Sequence, residues 1–253
     1  MNREATGLAG ARHRHYETLG STNAEALALA RAGERGPLWV TADTQTSGRG
    51  RRGRQWTSPA GNLYATLLLN KPSSPEVAPQ LSFVAALAAY DAISAAAPPL
   101  ANRLALKWPN DVLIGDAKAG GILVEGESGA DFAVAVGIGI NCASHPGETP
   151  YPATDLAANG AVVTAALLLR ELATAMTPRL SQWEGGRGFA VVRADWLKRA
   201  AGLGQRVTVR LGDGEQTGVF QGLDETGRLL LQTLDGVEKV AAGDVFLARV
   251  LSA

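Results

Sequence analysis

The sequence predicts an α/β or α+β domain followed by a small all-β domain. Two observations carry this. Up to about residue 203, Ala/Leu-rich runs of helical length alternate with Val/Ile-rich runs of strand length. Beyond Gly202-Leu203-Gly204, short β-like runs are broken by closely spaced turns. Size agrees with both. A chain of 253 residues, 46% hydrophobic and 19% charged, can bury one large core and a small one, and is not a disordered composition. The expected domains are residues 1–203 and 204–253.

Taken in order, residues 1–15 read as a ragged, polar N-terminus. Thr22-Asn23-Ala24-Glu25 has capping-box spacing, and an Ala/Leu-rich helix should run to about Ala32, with Gly33 as its stop. Leu38 to Ala42 reads as a short strand. A loop dense in glycine and arginine follows from Thr44 to Gly61, then a strand over Leu63 to Leu69. Leu81 to Ala97 reads as a helix ended by Pro98-Pro99. Leu104 to Lys107 and Val112 to Ile114 read as strands around a tight turn at Pro109-Asn110-Asp111. Gly120 to Gly126 and Phe132 to Asn141 are apolar runs typical of buried strands. Residues 143–160 are loop-like. Val163 to Leu180 and Ala190 to Ala201 read as helices. In the second domain, Val207, Val209 and Leu211 alternate before a turn at Gly212-Asp213-Gly214. Val219-Phe220, Leu229 to Leu234 and Val237 to Val250 are the later β runs. About 50 residues of this kind suggest a small β-barrel.

Bulk properties remove several function classes. Lys+Arg and Asp+Glu are 24 each, so the chain lacks the basic excess that nucleic acid or an anionic membrane rewards. The single cysteine, Cys142, excludes an intrachain disulfide and argues against a thiolate metal cluster; a small buried side chain is its default reading. No apolar h-region opens the sequence and no run is long enough to span a bilayer, so the expectation is a soluble, cytoplasmic protein with no membrane partner.

Five places carry candidate chemistry. Gly48-Arg49-Gly50-Arg51-Arg52-Gly53-Arg54 combines glycines, whose amides can converge on an anion, with permanently charged arginines that fork onto phosphate or carboxylate oxygens. Alone, it reads equally as a solvated or nucleic-acid-contacting loop. Ser21-Thr22-Asn23 precedes a helix and could bind a polar head group, although simple capping is the better reading in isolation. Lys107-Trp108-Pro109-Asn110-Asp111 puts a lysine, an amide and a carboxylate at a strand end. Lys107 suits phosphate and Asp111 suits Mg²⁺, against an ordinary polar turn with Trp108 in the core. Lys118 enters a buried strand beside Gly120-Gly121, where a ligand has room; a lysine so placed is more often an exposed solubilising group. Gly137-Ile138-Gly139-Ile140-Asn141 permits close packing on a strand but completes no dinucleotide fingerprint.

The order and wording of these elements add what each lacks alone. Ser21-Thr22-Asn23, Gln45 with GRGRRGRQW, KWPND, KAGGILVE and GIGIN resemble the biotin–protein ligase family over about residues 15–250. The resemblance implies a mixed-sheet catalytic domain like the class II aminoacyl-tRNA synthetase core, with a C-terminal SH3-like β-barrel. It implies biotin and ATP as substrates, Mg²⁺ as activator, and a biotin carboxyl carrier protein as acceptor. It places Ser21, Thr22, Asn23, Gln45, Arg49, Gly50, Arg51 and Lys118 at biotin. Arg54, Trp56, Lys107, Asn110, Asp111 and Asn141 fall near the nucleotide, with Asp111 toward the metal. Lys118, Arg49 and Arg51 become the catalytic set. A homodimer through a sheet edge fits the same resemblance. Family members that act as repressors carry an N-terminal helix-turn-helix domain; here the first motif begins at Ser21, so no sequence-specific DNA binding is expected. The alternatives are a lipoate or octanoyl ligase, disfavoured by the polar Ser21, Thr22, Asn23 and Gln45, and a nucleic-acid-binding module, disfavoured by the zero net charge. The glycine–arginine loop is expected to be mobile when empty, its arginines repelling each other, and to order over biotin or its adenylate.

Overall fold

The computed structural model describes residues 3–129, 131–147, 149–211 and 214–247. An eight-stranded sheet forms the frame, in the order β1 (Arg3–Leu8), β2 (Ala11–Leu19), β3 (Leu38–Gln45), β4 (Leu63–Asn70), β8 (Ala133–Ile140), β7 (Ala117–Glu127), β6 (Asp111–Ile114) and β5 (Leu104–Lys107). Only β2 and β3 are parallel, so the sheet is mixed. Helix α1 (Thr22–Arg31) covers one face. Helices α2 (Leu81–Ala96), α3 (Ala165–Trp183) and α4 (Phe189–Leu197) lie on the other. No described helix is long and apolar enough to cross a membrane.

Strand periodicity decides where a cleft can form. Along β8, Val134, Val136, Ile138 and Ile140 point into the large core, while Ala133 and Ala135 pack beneath α1. The next positions on that second face are Gly137 and Gly139. The side chains vanish beside the start of α1, leaving a floor of glycine backbone. Opposite Gly139 on β7 stands Gly121, which widens it. On the far face α2 buries residues all round its circumference, as a helix held between a sheet and other helices must.

The second unit is an antiparallel sheet in the order β12 (Val237–Val240), β11 (Leu229–Gln232), β10 (Glu215–Leu223), β9 (Arg206–Arg210) and β13 (Asp244–Leu247). Its Val207, Val209, Phe220, Leu229 and Leu231 join the same buried cluster as α2. The Trp108 indole donates across to Gly227 O at 3.0 Å.

The structure corrects three expectations. The N-terminal stretch is a strand pair rather than ragged chain. Polar side chains of β2 have partners: Arg12 and Arg14 share Glu34, and His13 and His15 both meet the Thr41 hydroxyl. The capping box does not form. Ser21 is the N-cap without a side-chain cap bond, Thr22 turns to Gln45, and Glu25 accepts from the Tyr16 hydroxyl. The run from Val237 is two strands, split at 241–243. The expected small all-β unit is present, as a five-stranded antiparallel sheet whose outer strands β12 and β13 are not paired with each other among the described residues. Residues 212 and 213 of the expected Gly212-Asp213-Gly214 turn, and 248–250 of the last β run, lie outside the described residues.

Candidate active site

Above the glycine floor lies a cleft, partly open to solvent. Its walls come from the start of α1, the glycine–arginine loop, the β5–β6 turn, β7, β8, the segment holding Tyr151, and the start of β13.

One end is built of hydroxyls and amides. Gln45 Oε1 accepts from the Thr22 amide at 2.9 Å and the Thr22 hydroxyl at 3.2 Å, while its Nε2 donates to Ser58 Oγ at 2.9 Å. Thr66, fully buried on β4, stands 2.8 Å from Thr22 Oγ1 and 2.7 Å from Asn23 Oδ1. Asn23 Nδ2 donates to Leu123 O and Glu125 Oε2. These side chains hold one another in place, so they have little freedom left to lose on binding a polar group. Gly137 is required here: a Cβ would lie 2.3 Å from Asn23 Oδ1.

The other end is cationic. Lys118 Nζ lies 2.6 Å and Lys107 Nζ 3.1 Å from the two oxygens of Asp111. All three side chains are about one-tenth exposed, at 13%, 12% and 9%. Burial pushes the Asp111 carboxyl upward, but the Lys118 and Lys107 ammonium groups outweigh it and hold the carboxyl below its ordinary range. The Tyr151 ring lies 5.2 Å from Lys118 Nζ and 5.1 Å from Lys107 Nζ, and the Trp56 ring is 5.2 Å from Lys118 Nζ. Trp56 rests on the floor, where a Cβ at Gly139 would meet it at 2.8 Å. Its indole N–H is buried without a partner.

The loop arginines are paired rather than mutually repelling. Arg49 meets Glu125 at 3.0 Å, Arg51 donates to Asn110 Oδ1 at 3.2 Å and Gly243 O at 3.4 Å, and Arg54 meets Asp244 at 2.8 Å. Burial lowers the Arg51 guanidinium from its ordinary range, against the pull of Asp244. The second sheet therefore supplies a wall of the cleft and an anchor for the loop.

Of the residues singled out from sequence, Ser21, Thr22, Asn23, Gln45, Arg49, Gly50, Arg51, Arg54, Trp56, Lys107, Asn110, Asp111 and Lys118 all line this cleft. Asn141 does not. Its amide donates to Thr154 O at 3.0 Å beneath the wall, so it supports the site from behind. Asp111 does not fit a protein-held Mg²⁺, because both its oxygens already serve ammonium groups; nor do the described residues hold a group of three His, Cys, Asp or Glu side chains that could bind a metal. Sequence reading missed Thr66, Glu125, Tyr151 and Asp244.

Two family models match the chain. Residues 20–141 match the biotin/lipoate A/B protein ligase family, and residues 202–248 match the biotin protein ligase C-terminal domain. A biotin–[acetyl-CoA-carboxylase] ligase of Paracoccus denitrificans is 44% identical over 238 residues, covering 89% of this chain and 96% of the relative. The chain belongs to the biotin–protein ligase family. A bifunctional ligase/repressor of Bacillus subtilis is 33% identical and aligns with 92% of this chain over 73% of its own length. Among solved structures, the biotin protein ligase of Aquifex aeolicus in complex with biotin and ATP superposes with a TM-score of 0.78 at 29% identity. That match covers 93% of this chain and 97% of that one. The fold is that of the biotin–protein ligases, as the sequence motifs implied.

Proposed function

We propose that this chain is an ATP-dependent biotin–protein ligase that forms biotinyl-5'-AMP and passes biotin to a lysine of a biotin carboxyl carrier protein. The observation that carries the reading is the polarity of the cleft. A fixed hydroxyl–amide array suits a ureido ring at one end, and two charged lysines suit a carboxylate meeting a triphosphate at the other.

The chemistry follows from these needs. Two anions must approach, and Lys118, Lys107 and Arg51 offset their repulsion and the charge that develops in the transition state. A biotin carboxylate oxygen attacks the α-phosphorus, the bond from that phosphorus to the bridging oxygen breaks, and pyrophosphate leaves. The neutral amine of an acceptor lysine then attacks the acyl carbon. The acyl–phosphate bond breaks, AMP leaves, and the nitrogen loses a proton. Ser21, Thr22, Asn23, Gln45, Arg49, Gly50, Arg51 and Lys118 face biotin in this reading. Arg54, Trp56, Lys107, Asn110 and Asp111 face the nucleotide. Asp111 holds both lysine ammonium groups at the cleft until substrate oxygens take over as Lys118's partners. A divalent ion would enter on the triphosphate of ATP.

The test is mass spectrometry of a carrier domain after incubation with the chain, ATP and either biotin or lipoate. Modification of one carrier lysine with biotin alone is expected. Modification with lipoate alone would keep the chemistry and overturn the substrate.

A further inference from the structure

Lys118 sits at a break in the sheet, and its backbone is held from outside it. The β6–β7 register shifts between Val112 and Leu113, whose partners are Gly120 and Lys118, so Ala119 is an extra residue. Such a bulge re-aims side chains and leaves ladder groups unpaired. Those groups are taken by a segment that follows β8. The Lys118 amide donates to Pro152 O at 2.8 Å, and Lys118 O accepts from the Thr154 amide at 2.9 Å. The same segment lays the Tyr151 ring against the Lys118 ammonium.

The segment in turn is fastened at two points. At its start, the amides of Cys142, Ala143 and Ser144 converge on Asn62 Oδ1 at 2.9, 2.9 and 3.2 Å. Across its ends, His145 Nδ1 stands 2.5 Å from Asp155 Oδ2. Asp155 is buried at 4% exposure, and its other oxygen accepts from the Ala158 amide at 2.6 Å. His145 is the side-chain partner that the described residues give Asp155 Oδ2. Opening the segment would leave Oδ2 of this buried carboxylate without its hydrogen-bond partner, so the pair favours the closed segment.

We propose that His145 and Asp155 are positioning residues for Lys118: their contact closes the segment that fixes the backbone and ammonium of Lys118 in the cleft. The inference rests on the role given to Lys118 in the ligase reading. Neither residue lines the cleft, so each acts through the segment alone.

Two readouts on the full chain test this. The first is acylation of lysines in the ligand-free protein by an excess of acetic anhydride, followed site by site with peptide mass spectrometry. Exposed Lys71 serves as internal reference. In His145→Ala and Asp155→Asn, labelling of Lys118 relative to Lys71 should rise several-fold, and His145→Gln, which keeps a donor for Asp155, should restore it. The second is biotin-dependent pyrophosphate exchange. Here kcat should fall by about tenfold with little change in KM for biotin, as for displacement of a reacting group rather than loss of a binding contact. Wild-type labelling of Lys118 in both variants would overturn the proposal. So would a loss of kcat accompanied by uniform labelling of every lysine and a fall in Tm, which marks general loosening. Absence of any exchange in the wild type would instead refute the ligase reading, while the labelling arm would still decide whether the pair places Lys118.

Discussion

At the scale of single residues, the unusual feature is one buried carboxylate serving two lysines. The carboxylate offsets the desolvation of both ammonium groups, and a pair of cations is what two approaching anions require. Asp111→Asn should therefore cost about 3 kcal/mol of stability at pH 7, the usual result of removing one partner from a buried pair. The pH dependence has a definite sign. A carboxyl held below its ordinary value of about 3.9 contributes stability that is present above that value and lost as pH falls through the depressed one. Urea denaturation of wild type and Asp111→Asn at pH 7 and pH 3 should show the difference between them shrinking in acid. A constant difference would mean that Asp111 acts by packing alone. Cys142, whose role the sequence left open, is buried among the strand ends with its thiol pushed up to about 12, which marks it as inert.

At the scale of elements, the glycine–arginine loop is the part least secured. Its ion pairs to Glu125 and Asp244 involve arginines more than 40% exposed, at 43% and 44%, and such contacts are each worth only about 0–1 kcal/mol. Ordering about ten loop residues costs on the order of 10 kcal/mol. Biotin should therefore still protect the loop from trypsin. Arg51→Gly, which removes the links to Asn110 and Gly243, should release the adenylate several times faster in a filter-retention assay; wild-type retention would remove the lid role from Arg51. The loop and the other motifs were legible because each packs its chemistry into a few consecutive residues. Glu125, Tyr151 and Asp244 were not, since they meet the loop and the lysines only across the fold. Asp244 lies 190 residues from Arg54, and nothing local marks it. Asn141 shows the converse. Its motif is conspicuous, yet the amide is spent beneath the wall on Thr154. Strand β2 escaped notice because a half-exposed polar strand lacks the apolar alternation that reveals a strand.

For the whole molecule, the second sheet is more than an appended module. It shares the main buried cluster, accepts the Trp108 hydrogen bond at Gly227, and brings Asp244 to the arginine loop. The fold class and the change of character near residue 203 were readable from periodicity. The docking was not, because its contacts are far apart in sequence; at one of them a Cβ at Gly227 would meet the Phe83 ring at 2.7 Å, and Gly227 has φ +92°. Gly227→Val should therefore lower stability by more than 1 kcal/mol, through both strain and overpacking. It should also slow adenylate formation by loosening the Asp244 anchor. Unchanged exchange kinetics in a destabilised Gly227→Val chain would separate the two units functionally.

The central claim is that a buried lysine pair lets a carboxylate attack ATP in this cleft. Biotin-dependent exchange of labelled pyrophosphate into ATP, compared between wild type and Lys118→Ala, tests it most directly. Exchange that requires biotin and falls by at least about a hundredfold in the variant is the predicted result. Exchange that persists at the wild-type rate without Lys118, or that never requires biotin, would contradict it.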